Sequence, residues 1–253
     1  MTRILLLGGT TEASRLAARL ADAGIAAVFS YAGRTAAPLA QPLPLRIGGF
    51  GGVAGLAAYL RDNAITHVID ATHPFAAQIS ANAVEACAAT GTALIAYERP
   101  PWQPGPGDNW HCVANIPAAV AALPESGARV FLAIGRQNLD AFAGRPGNHY
   151  VLRLVDPPDG PLPLPDAQAL IARGPFDIAG DRALMKVHRI THVVAKNAGG
   201  SGARAKLIAA RDLHLPVILI DRPVIPPRPV AETADQVMDW IADHAPPSAR
   251  RGE

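Results

Sequence analysis

The stretch Ile4-Leu5-Leu6-Leu7-Gly8-Gly9-Thr10-Thr11-Glu12 decides the fold. Four apolar residues make a strand and two glycines turn the chain. Ala13, Leu16, Ala17 and Leu20 then follow at helical spacing. A strand that passes through a glycine turn into a helix aims backbone N–H groups and a positive helix end at a phosphate. The next strand, Val28-Phe29-Ser30-Tyr31, ends in Ala32-Gly33-Arg34. A cofactor with a free ribose 2′-OH usually meets Asp or Glu at that place. A hydroxyl and an arginine suit a 2′-phosphate instead, so these residues point to NADP(H) rather than NAD(H). The glycine spacing falls short of the full G-x-G-x-x-G pattern, and an ordinary turn with Gly8 and Gly9 at positive φ is the alternative.

Outward from this stretch, strand-like and helix-like segments alternate to the end of the chain, the pattern of α/β folds with mainly parallel sheets. A short strand lies around Leu43 to Ile47, and Gly48-Gly49-Phe50-Gly51-Gly52 leads a helix to Asn63. A strand at His67 to Asp70, a helix from Phe75 to Thr90 and a strand at Ala93 to Tyr97 complete a first half. Arg99-Pro100-Pro101-Trp102-Gln103-Pro104-Gly105-Pro106-Gly107 can neither continue a helix nor sit centrally in a sheet. It divides the chain into a Rossmann-like domain of residues 1–98, a linker of residues 99–109 and a second Rossmann-like domain of residues 110–253. Strands are expected near His111 to Val113, Val130 to Ile134, Tyr150 to Leu154, Leu170 to Ala172, His192 to Ala195 and Val217 to Ile220. A last helix is expected over Thr233 to His244. Two such domains on a stiff linker would leave a cleft for a small molecule.

Composition narrows the function classes. The 253 residues are 49% hydrophobic and 17% charged, with a formal net charge of +2, which is too small to suggest a nucleic-acid protein. No apolar run approaches a membrane span, and the N-terminus lacks a signal-peptide pattern. Cys87 and Cys112 have no metal-ligand spacing and read as small buried hydrophobes in a reducing cytoplasm.

Asp70-Ala71-Thr72-His73-Pro74-Phe75 ends a strand, at the edge where doubly wound sheets bind ligands. Pro74 suits the first turn of the following helix and Thr72 suits its cap. His73 is the candidate proton donor, against the commoner case of a structural histidine. Arg136, before an expected helix, Arg173 and Arg99 each stand at a strand end, where together they would suit a ligand with several carboxylates. Lys196-Asn197-Ala198-Gly199-Gly200-Ser201-Gly202 repeats the strand, glycine, hydroxyl and helix scheme of the N-terminus. It is not a Walker loop; it reads either as a second anion-binding turn or as a plain glycine-rich turn.

ILLLGGTTEASRLA from Ile4, SYAGR from Ser30, DATHPFA from Asp70, ARGPF from Ala172 and KNAGGSGARAK from Lys196 together resemble the precorrin-6A reductase family of cobalamin biosynthesis. The resemblance spans nearly the whole chain and keeps motif order. It implies NADPH-dependent reduction of a C=C bond of the macrocycle precorrin-6A to precorrin-6B, between two Rossmann-like domains. It further implies phosphates over Gly8, Gly9, Thr10 and Thr11, the 2′-phosphate against Ser30 and Arg34, and Gly33 against the cofactor. Thr72 and Pro74 then border the nicotinamide, with His73 as proton donor and Asp70 orienting the loop. Arg99, Arg136, Arg173, Lys196, Asn197, Gly199, Gly200 and Ser201 face the substrate's carboxylates. No metal, nucleic acid or membrane is implied; the protein would be cytoplasmic, with transient contact to neighbouring pathway enzymes. Two other readings stand beside this one. An S-adenosylmethionine-dependent methyltransferase would want an acidic residue where Arg34 stands. A sensor of NADPH would need no second domain.

Overall fold

The computed structural model describes residues 2–33, 39–158, 160–174 and 176–244. The chain forms two compact units, Met1–Arg99 with Val224–Glu253, and Pro100–Pro223. In the first unit β1 (Ile4–Leu7), α1 (Thr11–Asp22), β2 (Ala27–Tyr31), β3 (Leu45–Ile47), α2 (Gly52–Asp62), β4 (His67–Asp70), α3 (Ala77–Thr90) and β5 (Ala93–Tyr97) follow in order. In the second come β6 (Trp110–Val113), α4 (Ile116–Ala121), β7 (Ser126–Ala133), a 3-10 turn (Asp140–Gly144), β8 (Gly147–Leu154) and β9 (Ala167–Ile171). They are followed by α5 (Ile178–Val187), β10 (His192–Lys196), α6 (Ala205–Asp212) and β11 (Val217–Ile220). The chain then returns to the first unit with β12 (Val230–Ala231) and α7 (Ala234–His244).

The first sheet runs β3-β2-β1-β4-β5-β12 and the second β9-β8-β7-β10-β11-β6, and every pairing is parallel. The first five strands of each follow the doubly wound order. β1 is buried at all four residues because both of its faces are covered, as parallel sheets require. Ile4 and Leu6 pack under α1 and α7 with Leu16, Leu20 and Val237, while Leu5 and Leu7 pack under α2 and α3 with Leu56, Leu60 and Ala83. Each such side chain contributes on the order of 1.5–3 kcal/mol of burial. In the second unit α5 and α6 cover one face through Met185, Leu207 and Ala210 over Phe131, Val193 and Leu219.

Three expectations need correction. Residues 224–244 do not belong to the second unit: β12 pairs with β5 and α7 packs on the first sheet. The chain thus exchanges sixth strands, β5 leading to β6 of the other sheet and β11 leading to β12. No helix follows Arg136 directly; only the 3-10 turn at Asp140–Gly144 forms before β8. Cys87 is buried, but Cys112 is exposed, because β6 is an edge strand. Among the described residues no helix is long and apolar enough to cross a membrane.

Candidate active site

The carboxyl ends of the first sheet's strands carry most of the residues singled out in the first unit. Gly8 follows β1, and its N–H continues the ladder to Ser30 O at 3.0 Å. A β-carbon on Gly8 would fall 2.1 Å from Phe29 Cζ, and Gly9 adopts φ +121°, so the turn admits only glycine. Thr10 caps α1, accepting the Ala13 N–H at 3.1 Å, and its hydroxyl donates to Ala71 O at 2.9 Å. The Thr10 hydroxyl is therefore committed to the scaffold, and a phosphate here would meet backbone N–H groups at the start of α1. Thr11 opens that helix and is exposed.

Ser30 is buried, next to the loop that carries Gly33. Arg34 lies outside the described residues. Asp70 is 2% exposed and shapes the loop after β4, its Oδ1 accepting the Thr72 N–H at 3.2 Å and the Thr72 hydroxyl at 2.6 Å. Thr72 is consequently no helix cap, and Pro74 is not in the helix. α3 begins at Ala77 behind Ala76, which has no side-chain cap, because Thr72 is turned back to Asp70. His73 Nδ1 accepts the Phe75 N–H at 3.2 Å.

Thr10, Glu12, Thr72, Pro74 and Arg99, with Tyr97 and Glu98, line one small pocket of about 10 Å³, room for roughly one water. Arg99 pairs there with Glu12 of α1, and both are mostly buried. A larger hollow of about 540 Å³ lies at the opposite edge of the same sheet, against Ile25, Leu43 and Pro44, but holds none of the expected chemistry.

Sequence reasoning missed two arginines here. Arg228, 7% exposed, pairs with Glu98 and lies 3.8 Å from Asp70 Oδ2, an atom with no hydrogen-bond partner among the described residues. Its signal is absent from the sequence because Glu98 is 130 residues away. Arg46 of β3 stands opposite Ser30 in the strand register.

In the second unit Arg136, Arg173 and Lys196 stand at the carboxyl ends of β7, β9 and β10, along one sheet edge. Arg173 lies 3.8 Å from Asp156. The glycine turn is largely explained by packing. Asn197 accepts the Trp102 N–H at 2.8 Å and donates to Trp102 O at 3.1 Å, and Trp102 Nε1 donates to Gly200 O at 2.7 Å. A β-carbon on Gly199, at φ +70°, would sit 2.2 Å from Pro100 O. The Asn197 amide and Gly199 thus anchor the segment entering this unit, while Lys196 ends β10 and Ser201 is exposed. Among the described residues no three His, Cys, Asp or Glu side chains gather to hold a metal.

The model of one protein family, described as Precorrin-6x reductase CbiJ/CobK, matches residues 3–242. The chain belongs to the precorrin-6x reductase family. It is 68% identical over 244 residues to the precorrin-6A reductase of Rhodobacter capsulatus, covering 96% of this chain and 97% of that one. It is 49% identical over 243 residues to the precorrin-6A reductase of Rhodococcus erythropolis, at 96% and 97% coverage. A solved structure, CobK precorrin-6A reductase, superposes with a TM-score of 0.94 at 68% identity, over 97% of this chain and 98% of that one. Membership makes the chain an oxidoreductase that calls for a nicotinamide donor. The first unit fits one: the glycine turn at Gly8 and Gly9 has no side chain between it and an approaching diphosphate, and the α1 N-terminus opens on it.

Proposed function

We propose that the chain is a precorrin-6A reductase of cobalamin biosynthesis, reducing a C=C bond of the macrocycle with NADPH to give precorrin-6B. The observation that carries this reading is the 68% identity to a precorrin-6A reductase along almost the full length of both chains. The preference for NADPH is supported by arginines and a serine where the ribose would be read, in a stretch from residue 23 to residue 61 with no Asp or Glu.

Gly8, Gly9, Thr10 and Thr11 would hold the diphosphate through their backbone, and Ser30, Gly33 and Arg34 the 2′-phosphate. Thr72 and Pro74 would border the nicotinamide ring, which when bound supplies the hydride. Asp70 holds Thr72 by two hydrogen bonds and so sets the loop that meets the ring. His73 Nδ1 accepts the Phe75 N–H, which leaves the Nε2–H as the ring's donor. In that form it orients a carbonyl or carboxylate by donating to it, and protonation of the reduced product falls to solvent. Arg136, Arg173 and Lys196 would pair with acetate and propionate side chains of the macrocycle. Arg99, tied to Glu12, acts by holding α1 against the loop after β5. The protein's work is distance, face and water exclusion. The same reading makes it a cytoplasmic enzyme with two free thiols, Cys87 and Cys112.

The test is anaerobic absorbance of the purified protein with precorrin-6A at matched NADPH and NADH. Loss of the substrate spectrum with equal oxidation of NADPH is expected. No turnover with either donor on verified substrate would overturn the assignment.

A further inference from the structure

Arg46 lies where the strand register puts it, directly beside Ser30 on the neighbouring strand. Its Nη1 is 3.4 Å from Ser30 Oγ and donates to Gly48 O at 2.5 Å, and Nη2 donates to Gly49 O at 2.8 Å. The guanidinium carbon sits 3.6 Å from the centre of the Phe50 ring. The loops after β2 and β3 lie against each other: Gly48 N–H donates to Tyr31 O at 2.9 Å, and a β-carbon on Gly33 would be 3.6 Å from the Gly48 backbone. Two carbonyls and a ring therefore fix the plane of this guanidinium at the carboxyl end of β2.

Its charge is not neutralised. Among the described residues no carboxylate pairs with Arg46, although both other half-buried arginines of this unit have one, Arg99 with Glu12 and Arg228 with Glu98. The carbonyls of Gly48 and Gly49 and the face of Phe50 hold the cation without cancelling it. Arginine has five donors, and the contacts above leave some of them for a further acceptor. A rigid, uncompensated guanidinium next to a buried serine hydroxyl, at the strand end where a dinucleotide's ribose is read, is a preorganised partner for a dianion.

We propose that Arg46, together with Ser30, contacts the 2′-phosphate of the cofactor and sets the preference for NADPH over NADH. This rests on the reductase reading above and adds to it a residue that no local motif marks. Arg34 follows the same strand in sequence; Arg46 is brought there by pairing of β3 with β2.

The experiment is equilibrium titration of NADPH, NADH, 2′,5′-ADP and 5′-AMP into wild-type protein, Arg46→Gln and Arg46→Lys, with thermal unfolding of each. Wild type should bind NADPH well above NADH, and 2′,5′-ADP well above 5′-AMP. Arg46→Gln should lose about 10- to 100-fold for the two 2′-phosphorylated ligands, the effect of one charge-assisted contact. NADH and 5′-AMP should change by less than about 3-fold. Arg46→Lys keeps the charge but not the fork and should fall between. Equal losses for phosphorylated and unphosphorylated ligands, or no loss at all, would overturn the role of Arg46 while leaving the NADPH reading intact. A wild-type protein that does not distinguish NADPH from NADH would instead overturn the NADPH reading itself, and the Arg46 role with it. If Arg46→Gln fails to fold, the selective or unselective loss in Arg46→Lys decides.

Discussion

Gly8 and Phe29 are in van der Waals opposition across β1 and β2, such that a single β-carbon on Gly8 would lie 2.1 Å from the ring. Phe29 is fully buried in the cluster under α1. Gly8→Ala should therefore destabilise the fold by about 1–3 kcal/mol, as overpacking does, and weaken dinucleotide binding by displacing the turn. Gly8→Ala combined with Phe29→Leu should be less destabilised than the sum of the two single changes. Denaturant unfolding of the four proteins measures this; strict additivity would show that the clash is relieved elsewhere.

Arg228 stands between the buried carboxylate of Asp70 and the half-buried one of Glu98, at 2% and 18% side-chain exposure. Arg228→Met should cost roughly 3–5 kcal/mol, because both acids are left without their cation. Adding Glu98→Gln should restore part of that loss. Activity should fall with stability, since Asp70 also holds the Thr72 loop. A single Arg228→Met change within about 0.5 kcal/mol of wild type would refute the network's importance.

What was legible in the sequence follows from how parallel sheets are buried. β1 and β11 are covered on both faces and buried at every residue, so they read as unbroken apolar runs. β12 has two residues, one of them exposed, and leaves no such trace; its place at the edge of the first sheet is fixed by α7 and by pairing with β5. The site divides in the same way. Gly8 and Thr72 lie in loops that directly follow apolar strands and Asp70 ends one of those strands, so the local pattern marks all three. Arg46 and Arg228 reach the same edge through strand pairing and through the returning C-terminal segment, neither of which a local pattern encodes. The glycine turn after β10 was ambiguous because a phosphate-binding turn and a close backbone approach ask for the same residue type. Here Pro100 O supplies the close approach to Gly199.

Asn197 offers a test of that distinction. Its amide satisfies both the N–H and the carbonyl of Trp102 in the buried interior of the second unit. Asn197→Ala should lower stability by about 1–3 kcal/mol for each backbone group left unpaired. At temperatures where the variant stays folded, its KM for precorrin-6A should be near that of wild type. A KM raised more than about tenfold without loss of stability would make Asn197 a substrate ligand instead.

Acid should loosen the fold through two histidines. Burial holds the imidazoles of His67, on β4 against Trp240 of α7, and of His192, at the start of β10, below their usual pKa. The unfolded chain therefore takes up protons first as pH falls through about 6.5, and the native state loses stability from there down to the folded pKa values. More than about one unit above the unfolded value neither group contributes an appreciable slope. Urea midpoints at pH 7.5 and 5.5 should show a drop for wild type and a smaller one for His67→Gln/His192→Gln. An unchanged drop in the double variant would assign acid sensitivity to other groups.

Substitution of His73 separates two routes by which the reduced macrocycle could gain its proton. A general acid at this position would be an imidazolium, yet Nδ1 accepts the Phe75 N–H at 3.2 Å, a bond that protonation would abolish. General acids typically contribute about 10²–10⁴-fold to rate, whereas a neutral donor that only orients the ligand contributes far less. His73→Gln retains a donor, and its kcat should fall by less than about tenfold, with the same pH dependence as wild type. A fall of about a hundredfold or more, accompanied by loss of an ionisation near the histidine range from the kcat profile, would make His73 the acid. The solvent isotope effect on kcat provides a second reading. Delivery from solvent should leave it unchanged in His73→Gln, because the proton then never passes through the imidazole.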